Sequence, residues 1–185
     1  MKTVADMPPR QLAAHISGQS HAMAGATIAL SAALGVALGE ACVRISAGLA
    51  GLDAPAADWL QVAQQNLLDL ADEDANAIAR FAALRDAGDE LAGQDYLCEL
   101  PGRMGQFAVE AAQALQNFRP LVHERVRDDL EMAITLLAGA SRAAMLLLDS
   151  NLRIWPQAAL IDKYEPLLAT LEQAVAALTP PVRLR

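Results

Sequence analysis

Asp74 is the residue whose placement could do chemistry. It lies four residues after Leu70 and seven after Leu67, four before Ile78 and seven before Phe81, so a helical period sets its carboxylate on an apolar stripe. A carboxylate taken out of water without a partner is costly. It either keeps a proton or finds hydrogen bonds, and both outcomes suit a general acid or base. The position also fits a plainer role, capping a neighbouring helix or bridging to it through Arg103 or Arg44.

Other titratable groups are less telling. Glu40 closes a long uncharged run and stands one turn before Arg44, where an intrahelical ion pair accounts for it; it remains a second candidate. His15, His21 and His123 form no i, i+4 pair, and Cys42 and Cys98 have no C-x-x-C spacing, so no metal site is expected. His21 is kept as a candidate because it stands beside the first long apolar helix. A phosphate-binding glycine loop after a strand, a nucleophile elbow and triad spacing are all missing from the sequence, which argues against nucleotide-binding and serine-hydrolase chemistry.

The elements that must position Asp74 follow from periodicity and punctuation. A first helix is predicted from about Ser20 to Gly48, with small residues at Ala22, Ala26, Ala29, Ala33, Ala37 and Ala41 on one face, where a neighbouring backbone can come close. Its glycines, Gly25, Gly35 and Gly39, weaken it by up to about 1 kcal/mol each relative to Ala, so tight packing or close approach of a ligand must offset them. Asp53 and Pro55 start a second helix that runs to about Ala87 and carries Asp74. A short helical stretch from Glu90 to Glu99 is followed by a turn at Leu100-Pro101-Gly102. The next helix then ends near Pro120. A long stripe from Val122 to Leu148 and a last helix from Leu160 to Leu178, stopped by Pro180-Pro181, complete the chain.

These elements add up to one all-α domain over residues 1–185, a bundle of five to six helices with the long Ala/Gly-rich first helix at its centre. The composition agrees: 54% of the 185 residues are hydrophobic, 4% aromatic and 19% charged, and alanine outnumbers the β-branched types that strands favour. A net charge of −8, with Arg125 and Arg127 surrounded by acids, disfavours nucleic acid as a partner. The uncharged run from Ala22 to Gly39 is nearly long enough to cross a bilayer but consists mostly of small residues, so a core helix is expected and no membrane partner. Two cysteines in apolar surroundings and no secretory leader point to the reducing cytoplasm.

Residues 24–40, Ala-Gly-Ala-Thr-Ile-Ala-Leu-Ser-Ala-Ala-Leu-Gly-Val-Ala-Leu-Gly-Glu, resemble the Gly-Gly-Gly-Ser-x-Ala-Ala-Leu-x-Gly-Ala-Leu opening of the family that comprises formiminotetrahydrofolate cyclodeaminase and methenyltetrahydrofolate cyclohydrolase. Leu70-Ala71-Asp72-Glu73-Asp74-Ala75-Asn76-Ala77 is similar to that family's Asp-x-x-Ala signature. Leu100-Pro101 with Arg103, then Pro120-Leu121 and the late pair Asn151-Leu152, follow in the family's order. The resemblance implies a homodimer, here expected around the small-residue face of the first helix, and an enzyme of one-carbon metabolism acting on a tetrahydrofolate or related pterin, without a metal. Either water opens a methenyl bridge or the folate N10 closes on a formimino carbon with loss of ammonia. Asp74 would be the catalytic carboxylate, Gly25 would let the ligand approach a helix N-terminus, His21 and Glu40 would line the substrate, and Arg103 would hold a glutamate tail.

Three departures mark this chain. The glycine turn is reduced to Met23-Ala24-Gly25-Ala26, about Leu84 to Glu99 are extra, and the stretch after Pro120-Leu121 is shorter than the family's and lacks its Gly-Asn…Ser-Asp segment. They leave room for an alternative in which the chain is a non-catalytic relative that binds a pterin or serves as a helical subunit. On the catalytic reading Asp74 is expected at the mouth of a cavity wide enough to admit a flat bicyclic ring.

Overall fold

The computed structural model describes residues 3–51, 53, 55–181 and 183–184. It contains six α-helices, α1 Pro9–Ser17, α2 Ala24–Ala50, α3 Pro55–Ala87, α4 Gln94–Phe118, α5 Arg127–Ile154 and α6 Ala158–Ala176, and no strand among the described residues. Two short 3-10 turns, Arg119–Leu121 and Glu124–Val126, link α4 to α5.

Helix α2 is central, packed against α3 and α5 and touching α4, as its small-residue face leads one to expect. Ala26, Ala29 and Ala33 are fully buried inside the protomer, whereas Ala22 and Ala41 of the same face are exposed and Ala37 is half-buried. A Cβ on Gly39 would run into the Leu115 side chain of α4, and one on Gly35 would lie 3.2 Å from Leu137 of α5. Close packing thus offsets the weak helix propensity at both glycines. The main core runs through α2, α3, α4 and α5, with Leu60, Leu67, Leu70, Leu100, Met104, Leu115, Ile134 and Leu137 fully buried. A smaller cluster of Cys98, Leu148, Leu152, Leu160, Tyr164 and Leu168 seats α6.

The stretches Ala24–Ala50 and Glu124–Ile154 are long and apolar enough to cross a membrane, and about half of each apolar window is buried in the bundle. The start of α3 at Pro55 agrees with the sequence, whereas residues 52 and 54 of the connection lie outside the described residues.

Two expectations are corrected. The sequence assigns no element to the first 19 residues, yet Pro9–Ser17 forms α1, with proline in its first turn, where the missing N–H costs nothing. Leu100-Pro101-Gly102 is not a turn either: α4 runs straight through it, and all three residues are buried. Pro101 has no N–H for the Leu97 carbonyl one turn earlier, and the Asn151 side-chain amide of α5 donates to that carbonyl instead, at 2.7 Å. Gly102 serves packing, since a Cβ there would lie 2.8 Å from Leu167 of α6. The expected short helix and its successor are therefore one element.

Candidate active site

Asp74 sits on α3 where that helix passes the N-terminus of α2, and it is 5% exposed. Its Oδ2 accepts a hydrogen bond of 2.9 Å from the backbone N–H of Ala26. The first turn of a helix leaves such N–H groups without intrahelical partners, and Met23 at the cap position offers no side-chain bond; the carboxylate of another helix fills the vacancy. Neither Arg103 nor Arg44 bridges to it. Arg44 is bound to Glu40 at 2.7 Å, and Arg103 to Glu73 at 3.3 Å and Glu99 at 3.8 Å.

Gly25 makes this contact possible. A Cβ there would coincide with the carboxyl group of Asp74, so the bare backbone is what admits Asp74. This also explains why one glycine of the turn suffices: Ala24 is exposed, and the Cβ of Ala26 packs in the core.

Burial raises the Asp74 pKa to about 6, and the single Ala26 N–H pulls it the other way. Among the described residues no cation relieves the cost, so the group exchanges its proton near neutral pH, where a general base is most useful. It is the one buried side chain among the described residues that carries an acid or base charge; the other two buried polar groups are hydroxyls. Ser46 bonds the Cys42 carbonyl and accepts from the His123 N–H, and Ser141 bonds the Gly105 carbonyl.

Beside the carboxyl group lies a pit of about 50 Å³. Gly25, Ile78, Leu97, Leu147, Asn151 and Trp155 wall it, and it reaches the surface past Ala22 and Ala24, both exposed. That volume holds one or two waters and falls well short of the roughly 300–1,000 Å³ of a small-molecule pocket. The expectation of a ring-sized cavity at Asp74 is thereby corrected: a bicyclic ring does not fit in the pit, and only its edge can face the mouth.

Two larger cavities flank this stretch of α3. One, of about 380 Å³, is formed by Glu73, Asn76, Arg80 and Phe81 with Gly93, Tyr96 and Leu97 of the extra segment; it shares Leu97 with the pit. The Phe81 and Trp155 rings, 5.1 Å apart, connect the two walls. The other, of about 370 Å³, contains His21 together with His15, Gln19, Met23 and Asp72.

The structure thus brings Asp74 and Gly25 together and places His21 next door. Glu40 lies fifteen residues along α2 from Gly25, a rise of about 22 Å, and pairs with Arg44 as the sequence indicates. Arg103 stands at the edge of the 380 Å³ cavity through its pair with Glu73, whose other contact is the Tyr96 hydroxyl at 2.7 Å. Sequence reasoning missed Asn151 as a pit wall and Trp155 altogether. Asn151 could have been sought from Pro101, which obliges some donor to serve the Leu97 carbonyl; Trp155 left no comparable signal.

Among the described residues no group of three or more His, Cys, Asp or Glu is placed to hold a metal ion. Burial pushes the Cys42 and Cys98 thiols up to about 11, which keeps both protonated and unreactive near neutral pH.

A family model described as formiminotransferase-cyclodeaminase matches residues 10–166. No curated protein and no solved structure matches the chain.

Proposed function

The chain belongs to the formiminotransferase-cyclodeaminase family, which ties it to folate one-carbon metabolism, and on that footing we propose that it is a methenyltetrahydrofolate-type cyclohydrolase with Asp74 as its general base. The observation that carries this reading is a water-sized pit against a carboxylate that titrates near 6. Hydrolysis of a methenyl bridge consumes one water, whereas cyclodeamination consumes none, so a pit of this size favours the hydrolytic branch.

In the proposed step, Asp74 takes a proton from the water as its oxygen bonds to the methenyl carbon. The cationic amidine becomes a neutral carbinolamine. One carbon–nitrogen bond then breaks, the freed nitrogen receives the proton held by Asp74, and the remaining hydroxyl proton leaves to solvent as the formyl C=O forms. The anionic carboxylate also lowers the energy of the approaching cation in a site with little water to screen it. The pterin ring rests outside the pit with its reacting edge over the mouth, and His21 lines the neighbouring cavity of about 370 Å³.

The non-catalytic alternative draws on the pit's exclusion of the ring, since a pterin held outside could bind without turnover. Loss of methenyltetrahydrofolate absorbance, corrected for the uncatalysed rate, separates the two. Turnover by the wild type that Asp74→Asn abolishes supports the enzyme; binding in calorimetry with no turnover supports the binder; neither binding nor turnover removes both.

We further propose a homodimer and a cytoplasmic location. With the middle of the small-residue face buried internally, the outer side of α2 still exposes Leu34 (71% exposed), Ile45 and Leu49, and Leu136 of α5 is exposed nearby. Such an apolar strip suits a second copy of the chain, and a monomeric mass in sedimentation at micromolar concentration counts against it. Two buried free cysteines fit a reducing compartment.

A further inference from the structure

The cavity of about 380 Å³ built by the extra segment has a composition the proposed reaction does not use. Its walls offer two aromatic rings, Phe81 and Tyr96, and one cation, Arg80. The only carboxylate in the wall among the described residues, Glu73, is already engaged by Arg103 and by the Tyr96 hydroxyl. Arg103 in turn divides its charge between Glu73 and Glu99. Arg80 has no carboxylate within ion-pair distance among the described residues. The cavity therefore presents flat apolar surface beside one uncommitted guanidinium.

We infer that this cavity receives the acidic aryl tail of the substrate, an aromatic amide bearing carboxylates, and that Arg80, not Arg103, is the residue that holds the carboxylate. The inference rests on the pterin reading above. Its geometry is consistent with one ligand spanning both places: Arg80 is six residues from Asp74, a rise of about 9 Å along α3, and Leu97 is common to the pit and the cavity. A planar guanidinium pairs with a carboxylate bidentately, and aromatic walls stack on an aryl ring. The extra segment, which supplies Gly93, Tyr96 and Leu97, then acts as a specificity wall.

The test uses two probes, p-aminobenzoylglutamate and p-aminobenzamide, alongside intact 5-formyltetrahydrofolate. All are titrated into a Trp59→Phe protein, in which Trp155 is the one remaining tryptophan. Because the Trp155 ring lies 5.1 Å from the Phe81 ring, tilted by 59°, a ligand in the cavity shifts its emission. Arg80→Ala is expected to weaken both glutamate-bearing ligands roughly tenfold, the scale of one charge-assisted contact, and to leave the carboxylate-free amide unaltered; Arg80→Lys falls between. Arg80 is exposed, so the variant folds, and an unchanged melting curve checks this.

Equal affinity of wild type and Arg80→Ala for 5-formyltetrahydrofolate overturns the inference and leaves the pterin reading standing. So does binding without change in Trp155 emission. A wild type that binds no folate removes the reading and the inference together.

Discussion

Replacing Asp74 by Asn should stabilise the protein, and by an amount that grows with pH. The folded carboxyl titrates near 6 against an ordinary value of 3.8, so in the range between them the unfolded chain releases a proton that the folded chain keeps. Below 3.8 the group is neutral in both states and costs nothing. The penalty builds as pH rises from 3.8 to 6, and above 6 the ionised carboxylate carries it in full. A gap of about 2 pKa units corresponds to about 3 kcal/mol at pH 8 and to about 1 kcal/mol near pH 4.5. Asn avoids the ionisation and its Oδ1 still accepts from the Ala26 N–H, though a neutral acceptor is weaker by about 1 kcal/mol. The net gain at pH 8 is therefore about 2 kcal/mol, or roughly 4–8 °C in Tm for a chain of this size. Thermal melts of both proteins at several pH values read it directly. Equal melting at pH 8, or a less stable variant, would refute the reasoning and make Asp74 a satisfied helix cap.

Gly25→Ala gains about 1 kcal/mol of helix propensity but drives a methyl into the Asp74 carboxyl group; overpacking of this kind costs about 1–3 kcal/mol and breaks the bond to Ala26. Net destabilisation is expected, and a second change, Asp74→Ala, relieves it, as a double-mutant cycle in denaturant will measure. Asn151→Ala should cost about 1–3 kcal/mol by orphaning the buried Leu97 carbonyl, and Pro101→Ala, which restores the intrahelical donor, should recover much of it. Glu40→Gln removes only an exposed pair with Arg44 and should leave both turnover and melting unaltered.

The bundle and its most informative residue were legible because helical periodicity is local. Three-to-four spacing isolated Asp74, and the alanine face announced a central helix. What the sequence concealed depends on partners distant in the chain. Pro101 reads as a break until Asn151, fifty residues on, supplies the missing donor. Gly25 reads as bare backbone with no stated neighbour until α3 brings the Asp74 carboxyl group against it. The short α1 turns only Leu12 and Ile16, one turn apart, toward the core, too brief a pattern to stand out in the sequence, and none of its residues is fully buried. Cavity size is a property of how several helices splay, and no spacing rule encodes it; hence the ring-sized cleft expected at Asp74 is a water-sized pit, with the larger volumes on either side.

The central claim is that a desolvated Asp74 takes the proton from water at a methenyl carbon. The most direct measurement is the pH dependence of kcat/KM for methenyltetrahydrofolate hydrolysis in the wild type and in Asp74→Asn. The account predicts a rate that rises through an inflection near pH 6 to a plateau in the wild type and is abolished in the variant. A wild-type profile flat between about pH 5 and pH 8, or undiminished turnover by Asp74→Asn, would contradict it.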